Sequence, residues 1–206
     1  MGKFSFEEVN ELYVDVLREI GNIGSGNATT AIASMLNLRL NMNVPKVELL
    51  SFQEFGSAIS AEDETIVGIY LGLEQDIEGS MMFLMKLDSA HYLVNRLMGR
   101  DPDYKEDFTE MDLSAIKEIG NIIAGSYLSA LSSMTNLTIS PTIPYVAIDM
   151  AAAILSVPAI EFGLVGDRAL LIETEICADV AIRGYFILMP EQESYYKILS
   201  ALGIAI

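Results

Sequence analysis

Apolar residues recur at helical spacing near the start of the chain, at Val9, Leu12, Val16, Ile20 and Ile23. Ser5-Phe-Glu-Glu8 ahead of them has the form of a capping box, a serine with an acid three residues on. The pattern runs on through Ala28–Leu36, so one long helix is predicted from about Ser5 to Leu36, with Asn37 as its stop. Gly21, Gly24 and Gly26 interrupt it, each costing about 1 kcal/mol against alanine in a helix. Three glycines within six residues imply close packing against another backbone, or a bend.

The pattern then turns strand-like. Leu38–Val44, Val47–Phe52, Thr65–Leu73 and Ile77–Leu87 read as strands, with Glu74-Gln-Asp-Ile as a hairpin connection between the last two. Asp88–Met98 reads as a helix that begins at Asp-Ser and has Gly99 just past its end. The polar run Arg100-Asp-Pro-Asp-Tyr-Lys-Glu-Asp is the natural seam of the chain.

Beyond the seam the plan repeats. Thr109–Met134 is a second long helix, Leu137–Ser140 and Tyr145–Ile148 are short strands, and Ala169–Ile176 with Val180–Met189 form a hairpin. Gln192–Leu202 closes the half, capped by Gly203. Asp149–Val165 has no evident counterpart in the first half and reads as an added helix. The expected architecture is α+β: an antiparallel sheet with two long helices, internally duplicated about a pseudo-twofold axis. The chain is expected to be a single domain, residues 1–206, of two homologous halves at about 5–99 and 109–203, which bury their apolar faces together.

The repeat carries a polar pattern. Asp15-Val-Leu-Arg-Glu19-Ile-Gly-Asn22 answers Ser114-Ala-Ile-Lys-Glu118-Ile-Gly-Asn121, and in each copy a proline, Pro45 or Pro144, follows the asparagine after 22 residues. Asp15, Glu19 and Asn22 stand at i, i+4 and i+7, one stripe of the helix, outside the sector of Val9, Leu12, Val16, Ile20 and Ile23. Ser114, Glu118 and Asn121 likewise stand clear of Leu113, Ile116, Ile119 and Ile123. Both stripes are expected on the surface, a shape that suits a macromolecular substrate better than a free metabolite. Glutamate and asparagine on an exposed helix are ordinarily just solvated. A second copy weakens that reading without removing it, because a duplication copies neutral residues too.

The full pattern, [Asp/Ser]-x3-Glu-x2-Asn-x22-Pro in its glycine context, resembles that of the CheC family of chemotaxis phosphatases (CheC, CheX, FliY), which dephosphorylate the response regulator CheY. Glu19–Asn27 and Glu118–Gly125 carry the likeness, which extends from about Val9 to Gly203. Two intact motifs resemble CheC itself more than the single-motif CheX. FliY carries a further C-terminal domain, and nothing here extends past Ile206.

The resemblance implies a hydrolase acting on the aspartyl phosphate of CheY. The leaving carboxylate needs little acid assistance, and Mg²⁺ comes with the phosphorylated regulator, so the protein needs no cofactor of its own. What remains is to place a water in line. A neutral carboxamide, with a donor and an acceptor, can do so, and that role falls to Asn22 and Asn121. By the same resemblance Glu19 and Glu118 pair with the active-site lysine of the receiver domain and dock the helix. Asp15 and Ser114 open the motif, and Pro45 and Pro144 begin or precede strands and shape the surface beside each helix. Asp149 falls where this family docks its second partner, CheD. The alternative is a non-catalytic adaptor that binds CheY or CheD without hydrolysing anything.

Composition narrows the field. A net charge of −17, with 12 bases against 29 acids, argues against nucleic acid and anionic membrane as partners. No apolar stretch reaches the roughly 20 residues of a membrane span. One histidine and one cysteine make a zinc site very unlike this chain, and no metal ligands are expected. His91 reads as an ordinary helix residue. Cys177, alone, fits a reducing cytoplasm. Gly21–Gly26 lacks the lysine and the strand–helix setting of a phosphate loop. The 11 methionines read as core filler. A monomer is expected.

Overall fold

The computed structural model describes residues 11–51, 54, 59, 61, 63–162, 168–177 and 181–203. The capping box at Ser5–Glu8 lies outside the described residues. The first long helix, α1, covers Glu11–Leu36. It stops as expected at Asn37, which takes up a left-handed φ of 51°. Leu38 N donates to Ala33 O at 3.1 Å and closes the end.

The two strands expected next are one, β1, Asn41–Ser51. Its pairing register shifts between Asn43 and Lys46, around Pro45. Proline has no N–H for the ladder, so an irregularity on an edge strand absorbs it and the strand continues. The hairpin of β2 (Thr65–Gln75) and β3 (Gly79–Lys86) follows as read. Helix α2 (Leu87–Met98) ends at Gly99, which is left-handed with φ 65°. Its helical residues begin one before Asp88, after Lys86, with no side-chain cap.

The seam from Arg100 to Phe108 is strapped down. Asn95 Nδ2 donates to Tyr104 O at 2.7 Å. Arg100 pairs with Asp112 at 2.8 Å, and Phe108 stacks on His91 with ring centroids 4.2 Å apart. The second long helix, α3 (Glu110–Thr135), starts on a complete capping box. The Thr109 side chain takes the Asp112 amide proton, and Asp112 takes that of Thr109. It ends at left-handed Asn136. Then come β4 (Ile139–Pro141), β5 (Tyr145–Met150), α4 (Ala151–Phe162), β6 (Arg168–Cys177), β7 (Ala181–Pro190) and α5 (Gln192–Ala201).

The fold is α+β, with a seven-stranded antiparallel sheet in the order β1-β6-β7-β3-β2-β4, β5 also pairing β2. β5 lies along Thr65–Tyr70 and β4 along Leu73–Gln75 of the same strand. The strand after each long helix thus lies beside a strand of the other half, and β3 meets β7 at the centre. Side chains alternate between two cores. Val67, Ile69, Leu71, Phe83, Ile172 and Phe186 face α1, α2, α3 and α5, while Ile66, Met82, Leu84, Leu171 and Ile187 face α4. Both faces of the central strands are dry, so the methionines of β3 are core, as expected.

The reading of α4 as peculiar to the second half is corrected. Glu54 and Ile59, which follow β1 as α4 follows β5, are helical too, and Ile59 is buried in the same core as Ile154. The sheet's second face needs cover at both ends, and apolar counts along the chain do not show which stretch supplies it.

Candidate functional site

The motif stripes lie on α1 and α3 and point away from the sheet. Asp15 and Glu19 are exposed and Asn22 is half-buried. Ser114, Glu118 and Asn121 are all exposed. The buried side of α1 differs from the one expected. Ile23 is 39 % exposed and Val16 only half-buried, while Leu17, Ile20, Gly21, Gly24, Ala28 and Ile32 form the seam. The expectation followed the large apolar side chains. The seam is set by small ones, which let another helix approach.

That approach is closest at Gly24. A β-carbon there would stand 2.9 Å from Tyr127 Cα, so the backbones of α1 and α3 meet at this point. Tyr127 carries the contact into the sheet. Its ring stacks on Phe186 at 4.4 Å, and its hydroxyl and that of Thr174 share a hydrogen bond of 2.6 Å. On α3, Gly120 lies against Ile69, whose side chain would meet an added β-carbon at 2.6 Å. Gly24, two residues past Asn22, thus pins α1 against the backbone of α3, and Gly120, next to Asn121, seats α3 on Ile69 of the sheet, so rigid elements hold both stripes. Gly26, by contrast, has open space around it, so the close packing read from three glycines holds at Gly24 and not at Gly26.

In the first stripe Asp15 holds a partner: Arg18 Nη1 lies 2.5 Å from its Oδ1. The Oδ1 of Asn22 is buried and meets no hydrogen-bond donor among the described residues. In the second stripe Ser114 donates its hydroxyl to Glu110 O at 2.9 Å, and Asn121 stands in the open. Each helix also carries side-chain-to-backbone bonds just past its motif: Ser25 Oγ to Gly21 O at 2.6 Å, and Ser126 Oγ to Ile122 O at 2.7 Å. Such bonds satisfy hydroxyls locally and bend helices slightly. The motif pattern does not include Arg18 and Lys117, yet a base stands before the glutamate in both copies, a signal present in the repeat itself.

Pro144 is buried and leads directly into β5. Pro45 lies inside β1 at the register shift, a correction to its expected place at a strand start. Helix α1 packs against β1, and α3 against β4 and β5, so each proline-bearing segment flanks the helix of its own motif.

Asp149 is exposed and belongs to β5, its Oδ1 accepting from Met150 N at 2.7 Å. It is therefore the penultimate residue of a strand and not the cap of α4. It pairs with Ile66, whose side chain faces α4. Opposed residues share a face, so Asp149 stands on the side of the sheet away from α1 and α3. His91 is buried on α2 against Phe108. Burial, joined by the Lys105 ammonium, holds its pKa below the ordinary range, against Asp88, Asp112 and Asp107. Among the described residues, no cluster of three His, Cys, Asp or Glu is placed to hold a metal, and no helix is long and apolar enough to cross a membrane.

The fold is an α+β unit in which a seven-stranded antiparallel sheet carries two long helices, each presenting an acid and a carboxamide one turn apart. The CheC-like family model matches this chain at residues 14–49 and 111–148, the two stretches that run from motif helix to proline strand. The chain is 37 % identical over 207 residues to the CheY-P phosphatase CheC of Bacillus subtilis, covering 98 % of this chain and 99 % of that one. It belongs to the CheC-like family. The crystal structure of Thermotoga maritima FliY superposes with a TM-score of 0.75 at 21 % identity, over 94 % of this chain and 97 % of that one. A chain of the CheX–CheY–BeF3–Mg²⁺ complex from Borrelia burgdorferi superposes with a TM-score of 0.50 at 19 % identity, over 82 % of this chain and 96 % of that one.

Proposed function

We propose that this protein hydrolyses the aspartyl phosphate of a CheY-type response regulator. The observation that carries the reading is the pair of Glu-x2-Asn stripes, with Glu19, Glu118 and Asn121 exposed, on a chain similar along its whole length to a CheY-P phosphatase. Asn22 and Asn121 each hold a water in line with phosphorus. The water oxygen attacks, the bond from phosphorus to the aspartate oxygen breaks, and the carboxylate departs without needing a proton. Glu19 and Glu118 dock on the receiver's lysine. Mg²⁺ arrives with the phosphorylated regulator, as it accompanies CheY in the Borrelia complex. The exposure of Glu19, Glu118 and Asn121 supports a protein substrate, since a carboxamide on a surface helix can enter another protein's cleft.

The chain is read as one unit of two related halves, which the reciprocal strand pairing supports. It is read as a cytoplasmic monomer, where phosphorylated regulators are found. Asp149 is proposed as part of a docking surface for CheD. Its exposure, and that of Tyr145 on the same face of the strand, support a second interface on the side away from the motif helices.

The test is phosphate release from phosphorylated CheY with Mg²⁺ present. Faster release on adding the protein is expected. No stimulation at excess protein would leave the adaptor reading in its place.

A further inference from the structure

The motif opens on Asp15 in one helix and on Ser114 in the other, and there the two stripes part in charge. Each glutamate is preceded by a base, Arg18 or Lys117, which stands one turn before the asparagine at i and i+4. Two of only 12 bases, in a chain of net charge −17, thus hold the same place beside the reacting group. In the first stripe Asp15 turns the Arg18 guanidinium back along the helix and matches its charge at 2.5 Å. In the second, Ser114 spends its hydroxyl on Glu110 O. The residues three and four from Lys117 are Leu113, Ser114, Gly120 and Asn121, none of them an acid. Lys117 is exposed and makes no ion pair among the described residues.

We propose that Lys117 is a positioning cation of the second site, drawing in the anionic acyl-phosphate centre, and that the residue opening the motif decides whether such a cation is free. This rests on the phosphatase reading. A phosphoryl group carries up to about two negative charges, and a fixed cation beside its path lowers the concentration of substrate needed without touching the chemical step. Aspartate at the first position ties the cation down, and serine releases it. An exposed charge acts weakly, so an effect of about two- to fivefold is expected.

The experiment measures phosphate release from a phosphorylated CheY-type receiver with one site silenced at a time. In an Asn22→Ala background, Lys117→Gln should raise KM about two- to fivefold with kcat little changed. Lys117→Arg should restore KM, and the gap should close at 0.5 M salt, on the order of a 4 Å screening length. In an Asn121→Ala background, Asp15→Ser should lower KM, or wake a first site that is otherwise idle. An unchanged KM for Lys117→Gln, a change that arginine does not reverse, or one that survives high salt would overturn the role of Lys117. A first site that does not respond to Asp15→Ser would overturn the tether. If the unaltered protein releases no phosphate, the phosphatase reading fails and takes this inference with it.

Discussion

At the scale of single residues, the two motif asparagines stand in unlike settings. Asn121 is exposed, and Asn22 has its carboxamide oxygen turned into the protein. Losing a positioning group costs on the order of a hundredfold or more at its own site. Asn22→Ala and Asn121→Ala should each leave partial activity and the double variant almost none. The open setting of Asn121 makes its loss the more damaging of the two. A single variant that abolishes phosphate release while the protein stays folded would show that only one site acts. The glutamates should separate from the asparagines in binding. Glu19→Ala with Glu118→Ala should weaken affinity for a beryllofluoride-activated receiver, while the asparagine pair should bind nearly as well as the unaltered protein. Equal losses in the two pairs would end that division of labour.

At the scale of elements, two glycines only two residues apart on α1 make opposite forecasts. Alanine is worth about 1 kcal/mol over glycine in a helix. At Gly26 nothing stands within reach of the new methyl, so Gly26→Ala should raise the urea midpoint. At Gly24 the methyl would enter the Tyr127 backbone, which cannot swing aside as a side chain tip can. Gly24→Ala should therefore destabilise by about 1–3 kcal/mol as an overpacked helix contact. Stabilisation at Gly24 would mean that the two long helices are not in contact there. The strap from α2 to α3 makes a forecast in pH. The folded protein holds His91 neutral, by burial first and by Lys105 next. Below about pH 6.5 the unfolded chain takes up a proton that the folded chain resists, so stability present above that pH is lost as pH falls toward the lower folded pKa. His91→Gln should flatten urea midpoints between about pH 5 and 7. An unchanged slope would assign the dependence elsewhere.

At the scale of the molecule, the sheet separates two surfaces. The motif helices cover one face, and Asp149 lies on the other beside α4. A partner on the α4 side would leave the stripes open and could act on them only through the fold. Asp149→Lys should abolish capture of CheD in a pull-down while phosphate release without CheD stays as before. Retained capture would remove Asp149 from that interface. Lost basal release would mean that the two surfaces are not independent.

What could be read from the chain itself was local. Period located both long helices, the hairpins and α5, and left-handed asparagine or glycine ends stand where Asn37, Gly99 and Gly203 said they would. The acid–amide stripes could be read because a helix fixes residues four and seven apart on one side whatever it packs against. The tertiary structure decided the rest. It chose the glycine side of α1 as the buried seam and left Ile23 in the open, because the missing side chain at Gly24 lets the backbone of α3 approach on that side. It carried β1 through Pro45 without a break, because pairing with β6 holds on both sides of the proline. It put Asp149 on a strand, because β2 offered an edge to pair with. Each of these turns on a partner far away in sequence, and no local pattern of apolar and polar residues names that partner.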